Sequence, residues 1–273
     1  MEAVDGAELE IREAPLPTAG PEADVVRMTG VSFRYRGQNE RLTSLKEYAI
    51  RRLQGRVQVR EIWAVRDIDL SVRRGEVFGI IGRNGAGKST LLRLIAGVLR
   101  PSSGRVVVHG WPLSPLLEIG AGFHPDLTGR ENVYLNGTLL GHSKREVAER
   151  YESIVDFAEL AGVMDEPLRT YSSGMVARLG FSVATAWEPK VLLVDEVLAV
   201  GDEAFQKKCQ ARIEEFRRRS ATVLLVSHQL AEVVAICSRA ALVDGGRIRA
   251  IGDPQTVVKA YCEAILASGR DRT

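Results

Sequence analysis

The chain has 273 residues, 45% of them hydrophobic, and a formal net charge of +2. No apolar run reaches the roughly 18 residues of a membrane-spanning helix, and no basic segment leads into a hydrophobic stretch as in a secretion signal. The three cysteines are widely spaced, without the spacing of a metal site or a disulfide framework. We therefore expect a globular protein with one main domain in a reducing, cytosolic compartment.

Residues 1–24 are acidic, with seven acidic side chains against one arginine, whereas the rest of the chain is basic. Few large apolar residues occur in this stretch, so it is predicted to be a disordered acidic tail. Regular structure is expected to begin with a strand from Val25 to Tyr35.

Residues 36–60 form a basic insertion after this first strand. The part from Arg41 to Arg60 holds six basic residues and one acidic residue, and its leucines recur at helical spacing. The pattern predicts a basic amphipathic helix whose Arg51, Arg52 and Arg56 face an anionic lipid surface or a pyrophosphate-linked headgroup. The alternative is a solvated helix that packs on its own domain.

Residues 82–90 carry the strongest functional signal of the chain. An apolar strand pattern at 76–81 precedes them, and helical apolar spacing follows. They satisfy the phosphate-loop pattern G-x-x-x-x-G-K-[ST] with Gly82, Arg83, Asn84, Gly85, Ala86, Gly87, Lys88, Ser89 and Thr90. Glycines let backbone N–H groups surround a phosphate, Lys88 adds charge at the β and γ phosphates, and the Ser89 hydroxyl can bind Mg²⁺. The motif predicts that the chain binds a nucleoside triphosphate.

Strand and helix patterns alternate along the rest of the chain. Helical patterns occur within 127–168 and at 173–186 and 205–219, and strand patterns occur at 104–109, 191–196 and 221–227. Ser143 followed by Glu146 predicts a capped helix start. This alternation predicts an α/β fold with a largely parallel sheet.

Two carboxylates, Asp195 and Glu196, follow four apolar strand residues. The carboxyl end of a buried strand is where α/β folds place ligand chemistry. Asp195 is predicted to hold Mg²⁺ through water, and Glu196 is predicted to be the general base that orients the attacking water. The alternative is a strand that ends in two solvated acids.

The segment Tyr171-Ser172-Ser173-Gly174-Met175 resembles Leu-Ser-Gly-Gly-Gln, the signature of ATP-binding-cassette ATPases, and it precedes the Asp-Glu pair as in that family. The resemblance spans residues 25–262 and leaves 263–273 as a C-terminal tail. It implies a P-loop ATPase with a mixed sheet core, an antiparallel β subdomain and a helical signature subdomain at 127–188. It also implies ATP hydrolysis with Mg²⁺.

The resemblance assigns further site residues by position. Ser172, Ser173, Gly174 and Met175 would contact the ATP held by the opposite subunit. Asp202 would reach across the dimer, and His228 would contact the γ-phosphate. Tyr35 is the candidate for stacking on adenine, with Trp63 as the alternative. The family's usual Mg²⁺-sensing glutamine is missing, and Glu118 is the nearest polar replacement.

The segment 120–134, the signature and the basic insertion together resemble ATPases that export lipid-linked polysaccharides such as O-antigen, teichoic acid and cell-wall galactan. This implies a homodimer bound to an integral-membrane permease at the cytoplasmic face of the cell membrane, with no nucleic-acid partner. The segment after Gly252 is expected to be too short for the sugar-binding domain that some members carry. The alternatives are an exporter of another lipid or a drug, and a soluble cassette ATPase outside transport.

Overall fold

The computed structural model describes residues 8–12, 24–38, 59–109, 112–117, 119–195 and 201–270. The predictions for Arg51, Arg52, Arg56, Glu118 and Glu196 lie outside these residues. The strands are β1 (Glu8–Arg12), β2 (Asp24–Gln38), β3 (Val59–Arg73), β4 (Val77–Ile81), β5 (Ser103–His109), β6 (Leu113–Leu116), β7 (Val191–Asp195), β8 (Thr222–Val226), β9 (Arg239–Asp244) and β10 (Arg247–Gly252). The helices are α1 (Lys88–Ile95), α2 (Gly129–Leu139), α3 (Lys144–Ala158), α4 (Ser173–Ala184), α5 (Glu203–Arg218), α6 (Leu230–Ile236) and α7 (Pro254–Arg270).

The described strands form two sheets. A four-stranded sheet has the order β1-β5-β2-β3, in which β2 is antiparallel to both of its neighbours and β1 is parallel to β5. A six-stranded sheet has the order β10-β9-β4-β8-β7-β6, parallel throughout except for β10 against β9. The predicted α/β class with a largely parallel sheet is confirmed.

Helix α1 lies between the two sheets. Its Leu91, Leu92, Leu94 and Ile95 are fully buried, in one cluster with residues of β2 and β3 on one side and of β4, β7 and β8 on the other. The strand β4 is buried along its whole length. Because the residues before and after the phosphate loop both lie in this core, the loop between them is held on a rigid base.

Helices α2, α3 and α4 gather around a second core of their own. Thr128 caps α2 and Ser143 caps α3, each in a reciprocal capping box with a glutamate three residues later, Glu131 and Glu146. The predicted Ser143 cap is therefore confirmed. These elements lie within the range expected for the helical signature subdomain. Among all the helices in the described ranges, none is long and apolar enough to cross a membrane.

The structure corrects the predicted chain ends. Residues 8–12 of the tail predicted to be disordered form β1, which pairs with the outer edge of β5. The open edge of β5 offers backbone hydrogen bonds to this segment, and low apolar content does not prevent such pairing. At the other end, α7 continues to Arg270, so residues 263–270 extend a helix rather than forming a separate tail. Residues 263–268 include no glycine or proline that would end the helix earlier.

Candidate nucleotide site

The phosphate loop connects β4 to α1. Gly82, Gly85 and Gly87 have φ angles of 154°, 77° and 108°, backbone values that favour glycine over other residues. Gly87 is also the N-cap of α1, so the first N–H groups of this helix open into the loop. Arg83, Asn84 and Gly85 at the top of the loop are exposed, and the loop is therefore accessible to an anion.

Lys88 is buried inside the loop that it follows. Its Nζ donates hydrogen bonds to the carbonyl oxygens of Gly82 at 2.9 Å and Arg83 at 3.1 Å. Lys88 as a whole is only 6% exposed, and its ammonium group is held against the loop backbone. Ser89 is half-buried at the next position. The lysine and the serine are thus positioned by the same turn of helix, as phosphate and magnesium chemistry requires.

Tyr35 and Trp63 lie on opposite faces of the four-stranded sheet. Tyr35 directs its hydroxyl to Thr90 in α1, at an oxygen–oxygen distance of 3.5 Å. Trp63 pairs across strands with Arg34, the neighbour of Tyr35, and its ring lies under the guanidinium groups of Arg34 and Arg66. Since successive side chains of a strand point to opposite faces, only Tyr35 faces the phosphate loop. Tyr35 is also 40% exposed, which leaves ring surface for a ligand.

Three parallel strands end beside one another at the phosphate-loop edge of the larger sheet. The loop follows β4, His228 follows β8 by two residues, and the half-buried Asp195 ends β7. Ser227, just after β8, donates to Glu232 at 2.8 Å and accepts a hydrogen bond from the Gln229 backbone at 3.0 Å. This arrangement fixes the backbone on both sides of the exposed His228.

The signature segment begins α4. Ser172 is the N-cap, and its hydroxyl accepts a hydrogen bond from the Met175 N–H at 3.2 Å. The buried Tyr171, which stands where the family has leucine, donates its hydroxyl to the Val163 carbonyl at 2.6 Å. Ser173 and Gly174 follow at the start of the helix. The departure at Tyr171 therefore adds a tether between the signature and the preceding turn.

Arg178 connects the signature helix to Asp202. Its guanidinium pairs with Asp202 and with Glu159, the latter at 3.1 Å, and lies over the ring of Phe205. Asp202 is the N-cap of α5 and accepts a hydrogen bond from the Phe205 N–H at 2.9 Å. That backbone bond, together with the nearby Arg178, lowers the pKa of the Asp202 carboxyl. The carboxylate, already ionised at neutral pH, therefore stays ionised to a lower pH than an ordinary aspartate.

An open groove of about 930 Å³ runs along the signature side of the molecule. Its lining includes Ser172, Ser173, Gly174 and Met175 together with Arg178 and Asp202. Among the residues that the structure describes, none from the phosphate loop lines this groove. One chain therefore presents the two parts of the predicted ATP site on separate surfaces.

Comparison with known proteins places this geometry in a family. The sequence model described as ABC transporter matches residues 65–199. The O-antigen export system ATP-binding protein RfbB of Klebsiella pneumoniae is 50% identical over 206 residues, covering 76% of this chain and 83% of that protein. The RfbB protein of Myxococcus xanthus is 48% identical, covering 89% of this chain and 55% of that protein. The chain belongs to the ABC transporter family. A solved ATP-binding cassette, a dimer with ADP and Pi, superposes with a TM-score of 0.63 at 20% identity, covering 84% of this chain and 98% of that one.

The residues of this ABC ATPase suit ATP and Mg²⁺. A buried lysine among loop carbonyls and a glycine backbone that opens toward solvent match the requirements of a triphosphate. The Ser89 hydroxyl and the Asp195 carboxylate are hard oxygen groups of the kind that Mg²⁺ prefers, and magnesium sites use few protein ligands beside the phosphates. In the described ranges no cluster of three or more metal-binding side chains occurs.

Sequence reasoning missed Arg178 and Glu159, which hold Asp202 and the signature helix together. Arg178 stands only a few residues after the signature, but its acidic partners come from distant parts of the chain. The signal that was available is the helical spacing, which puts Arg178 one turn beyond Gly174 on the same side of α4.

Proposed function

We propose that this chain is the ATP-hydrolysing subunit of an ABC exporter that moves a lipid-linked polysaccharide across the cytoplasmic membrane. The observation that carries the substrate class is its 50% identity to an O-antigen export ATP-binding protein over most of both chains. The phosphate loop, the Asp195 strand end and the signature helix support the ATPase chemistry. The chain would act at the cytoplasmic face of the membrane, bound to an integral-membrane permease.

The active unit is a homodimer with two ATP molecules at its interface. Each phosphate loop would face the signature helix of the other copy, since a single chain presents these surfaces apart. Lys88 and the loop N–H groups hold the phosphates, Tyr35 stacks on adenine, and Ser173 with Gly174 donates to the γ-phosphate from the opposite side. Asp202 is placed at the same interface.

Hydrolysis requires an oriented water molecule. Glu196, the residue after β7, is the proposed general base, and His228 is the proposed γ-phosphate contact. Mg²⁺ would neutralise developing charge on the phosphates, with Ser89 and Asp195 as its protein partners and Glu118 as a further proposed one. The dimer closes when ATP is bound because ATP has a higher affinity for the closed state. Hydrolysis of ATP then allows the dimer to open. Closing and opening would drive the permease.

The basic insertion is proposed to lie near the membrane entrance of the lipid-linked substrate. Replacing Arg51, Arg52 and Arg56 together by glutamate should reduce export while sparing ATP hydrolysis, because the charges would act on the lipid headgroup and not on ATP. Unchanged export in vesicles that contain the permease would contradict this role.

The substrate class is tested by stimulation of ATP hydrolysis. In vesicles that contain the permease, lipid-linked polysaccharide should raise the hydrolysis rate of the wild type but not that of Lys88→Ala, which removes the phosphate-binding charge. Stimulation by an unrelated lipid or an apolar drug, with no response to the polysaccharide, would favour the other class of exporter. If neither the permease nor any lipid changes the rate at which the wild type hydrolyses ATP, the result would favour the alternative that the chain is a soluble ATPase outside transport.

A further inference from the structure

The turn between β9 and β10 lies against the phosphate loop. It consists of Gly245 and Gly246 between the paired residues Asp244 and Arg247. The φ angles of the two glycines are 56° and 74°, both left-handed. A two-residue hairpin with two left-handed residues is a type I′ turn, for which glycine and asparagine are the favoured residues. The type I′ turn therefore accounts for the backbone angles of both glycines. The contacts of each glycine show whether it has a further role.

Gly246 forms two backbone hydrogen bonds outside its own hairpin. Its N–H donates to the carbonyl of Ala86, inside the phosphate loop, at 3.0 Å. Its carbonyl accepts a hydrogen bond from the Arg66 N–H in β3 at 2.8 Å. One residue thus joins the phosphate loop to the edge of the four-stranded sheet.

The space around these contacts is tight. A Cβ on Gly246 would lie 2.7 Å from the carbonyl oxygen of Ala64, and a Cβ on Gly87 would lie 2.6 Å from the same oxygen. At the other end of the loop, the Val243 carbonyl of β9 lies directly against Gly82. The end of β9 and the turn that follows it therefore contact the phosphate loop at both of its ends.

The neighbouring glycine makes no such contact. The nearest atom to a Cβ on Gly245 would be Nη2 of Arg249, at 4.0 Å, the far end of an exposed side chain. Two adjacent glycines with similar backbone angles therefore differ in their surroundings, because Gly246 is buried against the phosphate loop and Gly245 is exposed. Comparing the two glycines therefore distinguishes a requirement of the turn conformation from a requirement of the nucleotide site.

We propose that Gly246 is a positioning residue of the nucleotide site. Its N–H holds the Ala86 carbonyl, and this bond fixes the direction of the loop N–H groups that meet the phosphates. Preorganised donors bind an anion better than donors that must first be ordered. Residues 243–246 lie outside the segment that the family model matches, 65–199. The inference rests on ATP occupying the phosphate loop.

Matched asparagine variants test the proposal. Asparagine tolerates left-handed φ angles better than other residues with a side chain, so the φ angles alone should strain Gly246→Asn and Gly245→Asn to a similar extent. Only Gly246→Asn pushes a Cβ against Ala64 and displaces the turn from the loop. We expect its equilibrium Kd for ATP, measured without Mg²⁺ to prevent turnover, to rise about tenfold. Gly245→Asn should stay within about twofold of the wild type.

Thermal unfolding of both variants shows whether a change in affinity is a change in folding. A Kd for Gly246→Asn equal to that of Gly245→Asn would overturn the proposal. Wild-type protein that does not bind ATP would instead overturn the proposed function.

Amide exchange in the wild type decides the matter if Gly246→Asn does not fold. ATP should slow exchange of the Gly246 N–H in NMR spectra of the full chain, because an ordered loop strengthens its bond to Ala86. The Gly245 N–H should change little. Equal changes at both amides would overturn the proposal.

Discussion

At the scale of single side chains, Tyr35 and Trp63 were the two candidates for the proposed adenine contact. Tyr35 and Trp63 are close in the sheet and similar in exposure, at 40% and 38%, yet they face opposite sides. The hydroxyl of Tyr35 meets Thr90 at the start of α1, whereas the guanidinium groups of Arg34 and Arg66 lie over the Trp63 ring. From the sequence alone both rings were candidates, because the register between β2 and β3 is what separates them.

Removing the Tyr35 ring should therefore weaken nucleotide binding. We expect Tyr35→Ala to raise the Kd for ATP by about tenfold, since aromatic stacking on a base contributes roughly 1–3 kcal/mol. Tyr35→Phe should bind like the wild type. Trp63→Ala, a matched loss of an exposed ring, should change the Kd by less than about twofold. Titration calorimetry measures all three, and a larger loss for Trp63→Ala would reverse the assignment.

We expect His142 to make the stability of the helical subdomain depend on pH. Its imidazole stacks on Trp187 with ring centroids 3.7 Å apart, and burial lowers its pKa below the ordinary 6.5, against a weaker opposite effect of Glu146. The unfolded chain therefore takes up a proton at a higher pH than the folded protein does. The stabilising contribution is complete above pH 6.5 and is lost as the pH falls through 6.5 toward the lower folded pKa.

His142→Phe removes the titration and keeps a ring against Trp187. Between about pH 7.5 and about pH 5.5 the wild type should lose more unfolding free energy than this variant. Urea denaturation at a series of pH values makes the comparison. Parallel profiles for the two proteins would show that His142 contributes no such dependence.

At the scale of elements, one side chain organises the segment before α2. Asn132 is fully buried and accepts a hydrogen bond from the His124 N–H at 2.7 Å. Its amide donates to the carbonyls of His124, Leu127 and Thr128 at 2.9–3.1 Å. These bonds close the loop that leads into the signature subdomain.

Asn132→Ala should destabilise the protein by about 3 kcal/mol, because it removes the hydrogen bonds of a fully buried side chain, including the one that the His124 N–H donates to it. Asn136→Ala, on the same helix, removes one side-chain bond, to Ala121 at 2.8 Å, and should cost about 1 kcal/mol. Chemical denaturation of both variants measures the difference. Equal losses would mean that the loop is held by other contacts.

Elements with a local signal were predictable from the sequence, and elements that depend on partners were not. The strand, loop and helix around Lys88 and the Ser143 cap depend on neighbouring residues, and both are found. Strands β6 and β1 have no such local signal. β6 has only four residues and contains Pro115, and β1 is stabilised by pairing with β5. The links of Arg178 and Gly246 join residues far apart in sequence, so only the folded chain reveals them.

At the scale of the whole molecule, the fold separates the two halves of the ATP site. The phosphate loop connects β4 to α1, the helix between the two sheets, and the signature belongs to the helical subdomain around α4. Arg178 ties that helix to Asp202, in the segment that follows the proposed base. In the proposed dimer, each copy would supply its signature to the phosphate loop of the other, and closure would depend on bound ATP.

The most direct test is to compare the wild type with Glu196→Gln, recording ATP hydrolysis and the oligomeric state of each in ATP and Mg²⁺. We predict that the wild type hydrolyses ATP, whereas Glu196→Gln loses turnover and accumulates as a stable ATP-bound dimer. The variant removes only the carboxylate of the proposed general base and leaves the phosphate loop and the signature unchanged. Two proteins that both stay monomeric and hydrolyse ATP equally would contradict the catalytic assignment and the opposed dimer.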